Sequence, residues 1–450
     1  MTEQPNLIVD KESILKILGE LLQNEEEQPD VNKRRKIDPD KEQEKVDKIC
    51  IIWDMSASKE ISQYLFDECH VLDVMTTLLE NENAHTYRFF EVVVGTLANI
   101  CSTSAQICEL MATDKKFVPI LLEHIGYSLS PYEDEEKEEP VITQDDQQSE
   151  TNVLDKQFVT QQEGIYVLSE IMRFLSAATS YDHKCTRMWL KIIREHEIDQ
   201  DNQLLNFLLF TLDNCLNSEL LERTSTLLLN ITFFDTHASK LLIEEYGAIP
   251  YYVRCLKESL GGDNENVADC MFRILETLSS RFQDDEMLIL FDRVSIESED
   301  STTEEFTILD VIESVFRRAQ EVSENIMDSC IIVTHDLLVG GKQINNVMID
   351  EWVQSLLKKD DVVVSFLVQR VLQTMNDRDL NVNFASGLLH IFTVFCESAK
   401  DSTNSSSIKY IKDKKKDLEG AMDACLDLEG EDPDGVQLKV TAQKIFKLLN

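Results

Sequence analysis

Apolar residues recur at helical spacing along almost the whole chain. Val118, Leu121, Leu122 and Ile125 stand at i, i+3, i+4 and i+7, and so do Ile249, Tyr252, Val253 and Leu256. This spacing places one apolar stripe on each helix. Both stripes open beside a proline, Pro119 and Pro250. The first turn of a helix accepts proline because the missing N–H would have no partner there. Gly247, just ahead of the second stripe, supplies the φ > 0 conformation that turns the chain between two helices. Upstream of each proline a longer apolar helix carries an asparagine near its end, in Leu97-Ala98-Asn99-Ile100 and Leu228-Leu229-Asn230-Ile231. Val93, Leu97 and Ile100 form the stripe of the first, and Leu227, Leu228 and Ile231 that of the second. The distance from Asn to Pro is 20 residues in both copies, with room between them for one short helix, at 104–111 and 236–245.

Each unit therefore reads as a short helix, a longer one and a longest one. A unit of this size cannot bury its stripe alone and must stack on its neighbours. The asparagine followed by Gly247-Ala248-Ile249-Pro250 resembles the armadillo repeat. That resemblance implies an all-α, armadillo/HEAT-like right-handed helical solenoid with acidic loop insertions. The periodicity predicts helices at 10–23, 41–55, 70–81, 84–101, 104–112 and 117–129. It resumes at 156–178, 182–197, 200–216, 219–233, 236–246, 249–260 and 264–282, and again at 304–319, 320–339, 344–357, 360–376 and 380–399. Residues 400–413 read as exposed chain, followed by helices at 414–428 and 434–449, the last with Val436, Val440, Ile445 and Leu448 as its stripe. The resulting organisation is an N-terminal helix and charged linker (1–40), repeats at 41–129, an acidic loop at 130–155, central repeats at 156–283, a second acidic loop at 284–303, and C-terminal repeats with a capping helix at 304–450. Glycine (13) and proline (8) are too scarce for the many turns of an all-β or doubly wound fold.

Charge adds a second theme. The net charge is −41. Acids concentrate at 131–150, 284–305 and 417–434, which read as solvated loops or as an acidic face for a basic partner. An acidic surface argues against direct nucleic-acid binding, which needs a basic footprint. No run approaches the ~18 apolar residues of a membrane span, and no N-terminal stretch has the apolar core of a signal peptide, so the expected compartment is nucleus or cytosol. The 11 cysteines include no Cys-x-x-Cys pair and read as reduced, mostly buried thiols. Cys69-His70 lacks further ligands at zinc spacing.

Catalytic signatures are not found. Gly340-Gly341-Lys342 is followed by Gln343 and lacks the upstream glycine of a phosphate-binding loop, and His196-Glu197 has no second histidine at i+4. The expectation is a non-enzyme with no catalytic, cofactor-binding or metal-binding residues and no cofactor. Lys33-Arg34-Arg35-Lys36, between Pro29 and Pro39, resembles a short nuclear-import signal. Asn99 and Asn230 are candidate partner-binding residues: in armadillo import receptors an asparagine near the end of the third helix grips a peptide backbone. There a tryptophan precedes it by four residues, whereas Gly95 and Thr226 stand at that position here. Without the aromatic shelf, the asparagines can instead hydrogen-bond a neighbouring repeat. Trp53 reads as a core anchor beside Ile49 and Ile52, or as an indole offered to a partner with Asp54 supplying a hydrogen bond.

Between residues 48 and 125 the order Ile49-Cys50, Trp53-Asp54-Met55-Ser56, Gly95-Thr96-Leu97-Ala98-Asn99, Ile107-Cys108 and Asp114-Lys115-Lys116 resembles the serum amyloid A-like protein family. The resemblance implies an armadillo-like fold, a nuclear location and support of cell proliferation, with no catalytic residue to carry over. The expected function is a protein–protein interaction scaffold, and the alternative is a transport adaptor or chaperone for a basic client protein. If Lys33–Lys36 direct import, replacing all four by alanine shifts a fluorescent fusion of the full chain towards the cytoplasm. An unchanged nuclear fraction removes that role.

Overall fold

The computed structural model describes residues 11–23, 39–80, 87–114, 116–121, 150–197, 203–260, 264–282, 288–297, 303–344, 346–359, 362–375, 381–400, 406–426 and 433–449. The basic cluster Lys33–Lys36, the acidic segment up to residue 149 and the helix expected at 122–129 lie outside them. The described residues are helical apart from turns and one small hairpin, and they divide into two compact units, Met1–Ala238 and Ser239–Asn450.

In the first unit the helices are α1 (Lys11–Gln23), α2 (Pro39–Ser56), α3 (Lys59–Asp67), α4 (Val71–Glu80), α5 (Tyr87–Cys101), α6 (Ala105–Ala112), α7 (Glu150–Thr179), α8 (His183–Glu197), α9 (Gln203–Asn214) and α10 (Ser218–Phe234). Helices α2, α5, α7 and α10 pack side by side in that order and form a ladder. Helices α3 and α4 cover α5, while α8 packs on α6, α7 and α10. The predicted stripes are core: Val93, Leu97, Ile100, Leu227, Leu228 and Ile231 are all buried, as are Val118 and Leu121 of the helical residues 117–121. Phe117, Phe174 and Trp189 meet edge to face, each pair with centroids 5.3 Å apart, and tie those residues to α7 and α8. Helix α7 begins at Glu150, so the acid-rich segment ends six residues earlier than the charge pattern indicated. Val153, Leu154 and Phe158 already carry helical spacing there.

Helix α11 (Thr236–Glu244) spans the boundary between the units. The second unit then runs α12 (Ile249–Leu260), α13 (Glu265–Ser279), a 3-10 turn (Leu288–Phe291), β1 (Val294–Glu297), β2 (Thr303–Phe306), α14 (Ile308–Arg317), α15 (Glu324–Ile344), α16 (Asn346–Lys359), α17 (Val362–Met375), α18 (Val382–Lys400), α19 (Ser406–Asp413), α20 (Lys415–Leu426) and α21 (Pro433–Leu449). Two ladders stand back to back, α13–α15–α18–α21 and α12–α14–α17–α20. Gly247 has φ +57°, and the Ala248 amide reaches back to the Leu242 carbonyl at 2.9 Å, which turns the chain as its sequence position required. Ile249, Tyr252, Val253 and Leu256 are all buried on α12. The short–long–longest order of α11, α12 and α13 is that of an all-α, armadillo-like repeat.

Three expectations are corrected in this unit. Residues 294–306 form an antiparallel hairpin with Val294 opposite Phe306, where a loop and then a helix from 304 were expected. Both side chains are buried, and Lys257 Nζ lies 3.9 Å from the Phe306 ring centre while pairing with Glu304 at 2.6 Å. The helix start moves to Ile308 because the Asp310 carboxylate accepts from the Thr307 amide and hydroxyl at 2.7 and 2.9 Å. Residues 406–413 are helical, with Ile411 buried, where exposed chain was expected. On α21 the buried stripe is Leu438, Ala442 and Ile445, an i, i+4, i+7 set, whereas Val436 and Val440 are 49% and 53% exposed.

Because Ile249 is only 2% exposed, Ile249→Asp places a carboxylate in an apolar core. The expected loss is on the order of 3 kcal/mol or more. It is measured as faster amide hydrogen exchange across α12 and α13, and unchanged exchange would contradict this packing.

Candidate protein-interaction face

Each ladder helix of the first unit presents one polar stripe at helical spacing. On α5 it is Arg88, Glu91, Gly95, Asn99 and Ser102, on α7 Tyr166, Glu170, Arg173, Ala177 and Ser180, and on α10 Glu219, Arg223, Thr226, Asn230 and Phe233. The stripes are joined by side-chain bonds that run from helix to helix.

The two asparagines make the same bond twice. Asn99 Nδ2 donates to the Trp53 carbonyl at 3.3 Å and to Ser56 Oγ at 3.0 Å. Asn230 Nδ2 donates to the Ser176 carbonyl at 3.1 Å and to Thr179 Oγ1 at 3.3 Å. Ser56 and Thr179 are the last residues of α2 and α7, and Trp53 and Ser176 stand three positions earlier. Carbonyls in the last turn of a helix have no partner within it, so the next ladder helix supplies the donor. Asn99 Oδ1 in turn accepts from Arg173 Nη1 at 2.6 Å. Both asparagines are thus engaged within the fold, the role open to them without an aromatic shelf.

The shelf position itself has a physical explanation. A Cβ on Gly95 would lie 2.8 Å from Trp53 Cε2, 2.9 Å from Trp53 Cζ2 and 3.0 Å from Glu170 Oε2. The indole of α2 occupies the place that a side chain on α5 would need. Arg88 caps the Trp53 ring at 5.6 Å from its centre. Trp53 is therefore half-buried and combines both of its expected roles, packing against α5 while leaving part of its surface to solvent. Asp54 is exposed beside it on α2.

Sequence reasoning missed the centre of this face. Glu170 is buried, yet it meets two arginines: Arg173 Nε at 2.7 Å and Arg223 Nη1 at 2.8 Å. Arg173 also donates through Nη2 to the Gly95 carbonyl at 2.8 Å, and Arg223 pairs with Glu219. Ser176 Oγ donates to the Arg223 carbonyl at 3.2 Å. The signal was present as a Glu-x-x-Arg pair inside the apolar run Val167–Leu175, where an acid has no reason to sit unless it is paired. At the far end of α10, Phe233 is 50% exposed and forms an edge-to-face chain with Phe234 and His183, whose Nδ1 lies 3.0 Å from the Phe234 carbonyl.

Among the described residues, no group of three or more His, Cys, Asp or Glu side chains is placed to hold a metal ion, and no helix is long and apolar enough to cross a membrane. His70 adopts φ +49° with its side chain exposed, and neighbouring Cys69 is buried in the turn after α3. The face thus offers half-exposed aromatics around a core of satisfied polar groups.

No family model matches the chain, and no curated protein does, so the resemblance to the serum amyloid A-like family rests on residues 48–125 alone. Solved structures similar to the chain include a designed armadillo repeat protein, at 12% identity over 72% of this chain and 99% of that one, with a TM-score of 0.45. An engineered protein is similar at 12% identity over 73% of this chain and 97% of that one, also at a TM-score of 0.45. SYS-1 is similar at 11% identity over 99% of this chain and 80% of that one, with a TM-score of 0.49.

Proposed function

We propose that the chain is a non-catalytic protein-interaction scaffold whose partner docks on the stripes of α2, α5, α7 and α10. The observation that carries this reading is the distribution of exposure on that face. The hydrogen-bonding groups of Asn99, Glu170, Arg173 and Arg223 are spent between helices. Trp53, Tyr166 and Phe233 keep open surface around them. Aromatic residues held rigidly beside satisfied polar groups are the usual anchors of protein interfaces. A catalytic centre would instead require convergent polar groups aimed at an empty space. The resemblance over residues 48–125 extends the proposal to a regulator in the nucleus that supports cell proliferation.

A photo-crosslinking amino acid placed at Asp54 or Thr226 tests the face, with exposed Gln106 on α6 as the control position. The expected result is a shared set of adducts at positions 54 and 226 that Phe233→Asp diminishes. Adducts as strong at position 106, or none on the face, would place the partner elsewhere.

A further inference from the structure

Beside the face, at the end of α5, three buried cysteines lie close together. Cys101 is the last residue of α5, and Cys108 stands in the second turn of the short helix α6. Their sulfurs are 2.8 Å apart, well inside the van der Waals contact of two thiols. Cys108 Sγ also donates to the Cys101 carbonyl at 3.0 Å. The turn that brings them together is pinned by its own hydroxyls. Ser102 Oγ donates to the Asn99 carbonyl and Thr103 Oγ1 to the Ile100 carbonyl, both at 2.7 Å, and Ser104 Oγ accepts from the Ile107 amide at 3.2 Å. The third thiol, Cys185 on α8, is directed instead to the Ala105 carbonyl at 3.8 Å.

We infer that Cys101 and Cys108 are a site of oxidative modification, and that a peroxide converts them into an intramolecular disulfide joining α5 to α6. A disulfide needs its sulfurs at about 2.05 Å, so closure requires a movement of less than about 1 Å. In the first step one thiol gives up its proton and its sulfur attacks a peroxide oxygen. The O–O bond breaks, leaving a sulfenic acid and one water. The second sulfur then attacks the sulfenic sulfur, the S–S bond forms, the S–O bond breaks and a second water departs. Two thiols and one hydrogen peroxide thus yield one disulfide and two waters, with the sulfurs oxidised and the peroxide reduced.

The location gives the bond a consequence. Cys101 lies two residues beyond Asn99, and its carbonyl accepts from the Tyr181 hydroxyl at 3.3 Å, which ties it to the segment before α8. The disulfide removes the Cys108 S–H donor from that carbonyl and fixes the end of the helix that holds α2 and α7 together. Burial pushes the Cys101 thiol well above its ordinary value, so thiolate is scarce and the oxidation is slow in the folded chain.

Trypsin places both cysteines in one peptide, Phe89–Lys115, and isolates Cys185 in Cys185-Thr186-Arg187. The full-length protein is treated with hydrogen peroxide, unfolded, alkylated without reductant, digested and weighed. The expected product is an unalkylated Phe89–Lys115 peptide lighter by two hydrogens than its dithiol, which takes two alkyl groups after reduction. Cys101→Ala abolishes that product. Alkylation of both cysteines after oxidation, or a crosslink to Cys185-Thr186-Arg187 in its place, would overturn the assignment.

Discussion

Helix ends set the terms of this fold. The last carbonyls of every helix lack partners within it and must find them elsewhere or face a desolvation cost of about 1–3 kcal/mol each when buried. In the first unit the neighbouring ladder helix provides the donor: Asn99 for α2 and Asn230 for α7. In the second unit a variation of the device recurs. Ser279, the last residue of α13, places its hydroxyl 3.1 Å from the Glu276 carbonyl and 2.9 Å from Asp336 Oδ2 on α15. An aspartate has no N–H to offer, so there the hydroxyl supplies the donor and the carboxylate accepts. The bond fixes which turn of one ladder helix lies against which turn of the next, and the apolar stripes then interdigitate in that register.

Between the two asparagines lies the most constrained side chain of the face. A buried carboxylate is costly unless charges and hydrogen bonds surround it. Arg173 and Arg223 surround Glu170 from its own helix and from α10, and Arg173 extends to Asn99 and the Gly95 carbonyl on α5. One acid thereby couples three helices. The absence of a side chain at Gly95 belongs to the same arrangement, because the Trp53 indole and the Glu170 carboxylate fill the space on either side. What reaches solvent is the remainder: one edge of Trp53, Tyr166, and the aromatic cluster ending in Phe233. The groups that hold the ladder together also position the surface offered to a partner.

The helical repeat was legible in the sequence because burial imposes period on apolar residues. Ile249, Tyr252, Val253 and Leu256 are core for the same reason that their spacing is recognisable. The hairpin was not, because Val294, Ile296 and Phe306 are too few to establish a period of two within an acid-rich run. The capping pair Thr307 and Asp310 was the available local signal for where the helix restarts. On α21, valines at 436 and 440 share a helical spacing as good as that of Leu438 and Ala442, and only packing decides which set is inside. For the face, Asn99, Asn230 and Trp53 were visible as residue types, but their partners lie 43 to 54 positions away in the chain. Glu170 and Arg173 stood out least, since pairing with Arg223 and Asn99 is a product of the fold.

The claim that this polar network is architectural is tested most directly by a double-mutant cycle on Glu170 and Arg223, read by urea unfolding together with hydrogen exchange in α5, α7 and α10. The account predicts that Glu170→Ala costs about 3–5 kcal/mol, because two arginines lose their buried counter-charge. It also predicts that adding Arg223→Ala costs far less than the sum of the single changes, with exchange accelerated in all three helices. Additive effects of less than about 0.5 kcal/mol, the scale of ordinary surface substitutions, would contradict it.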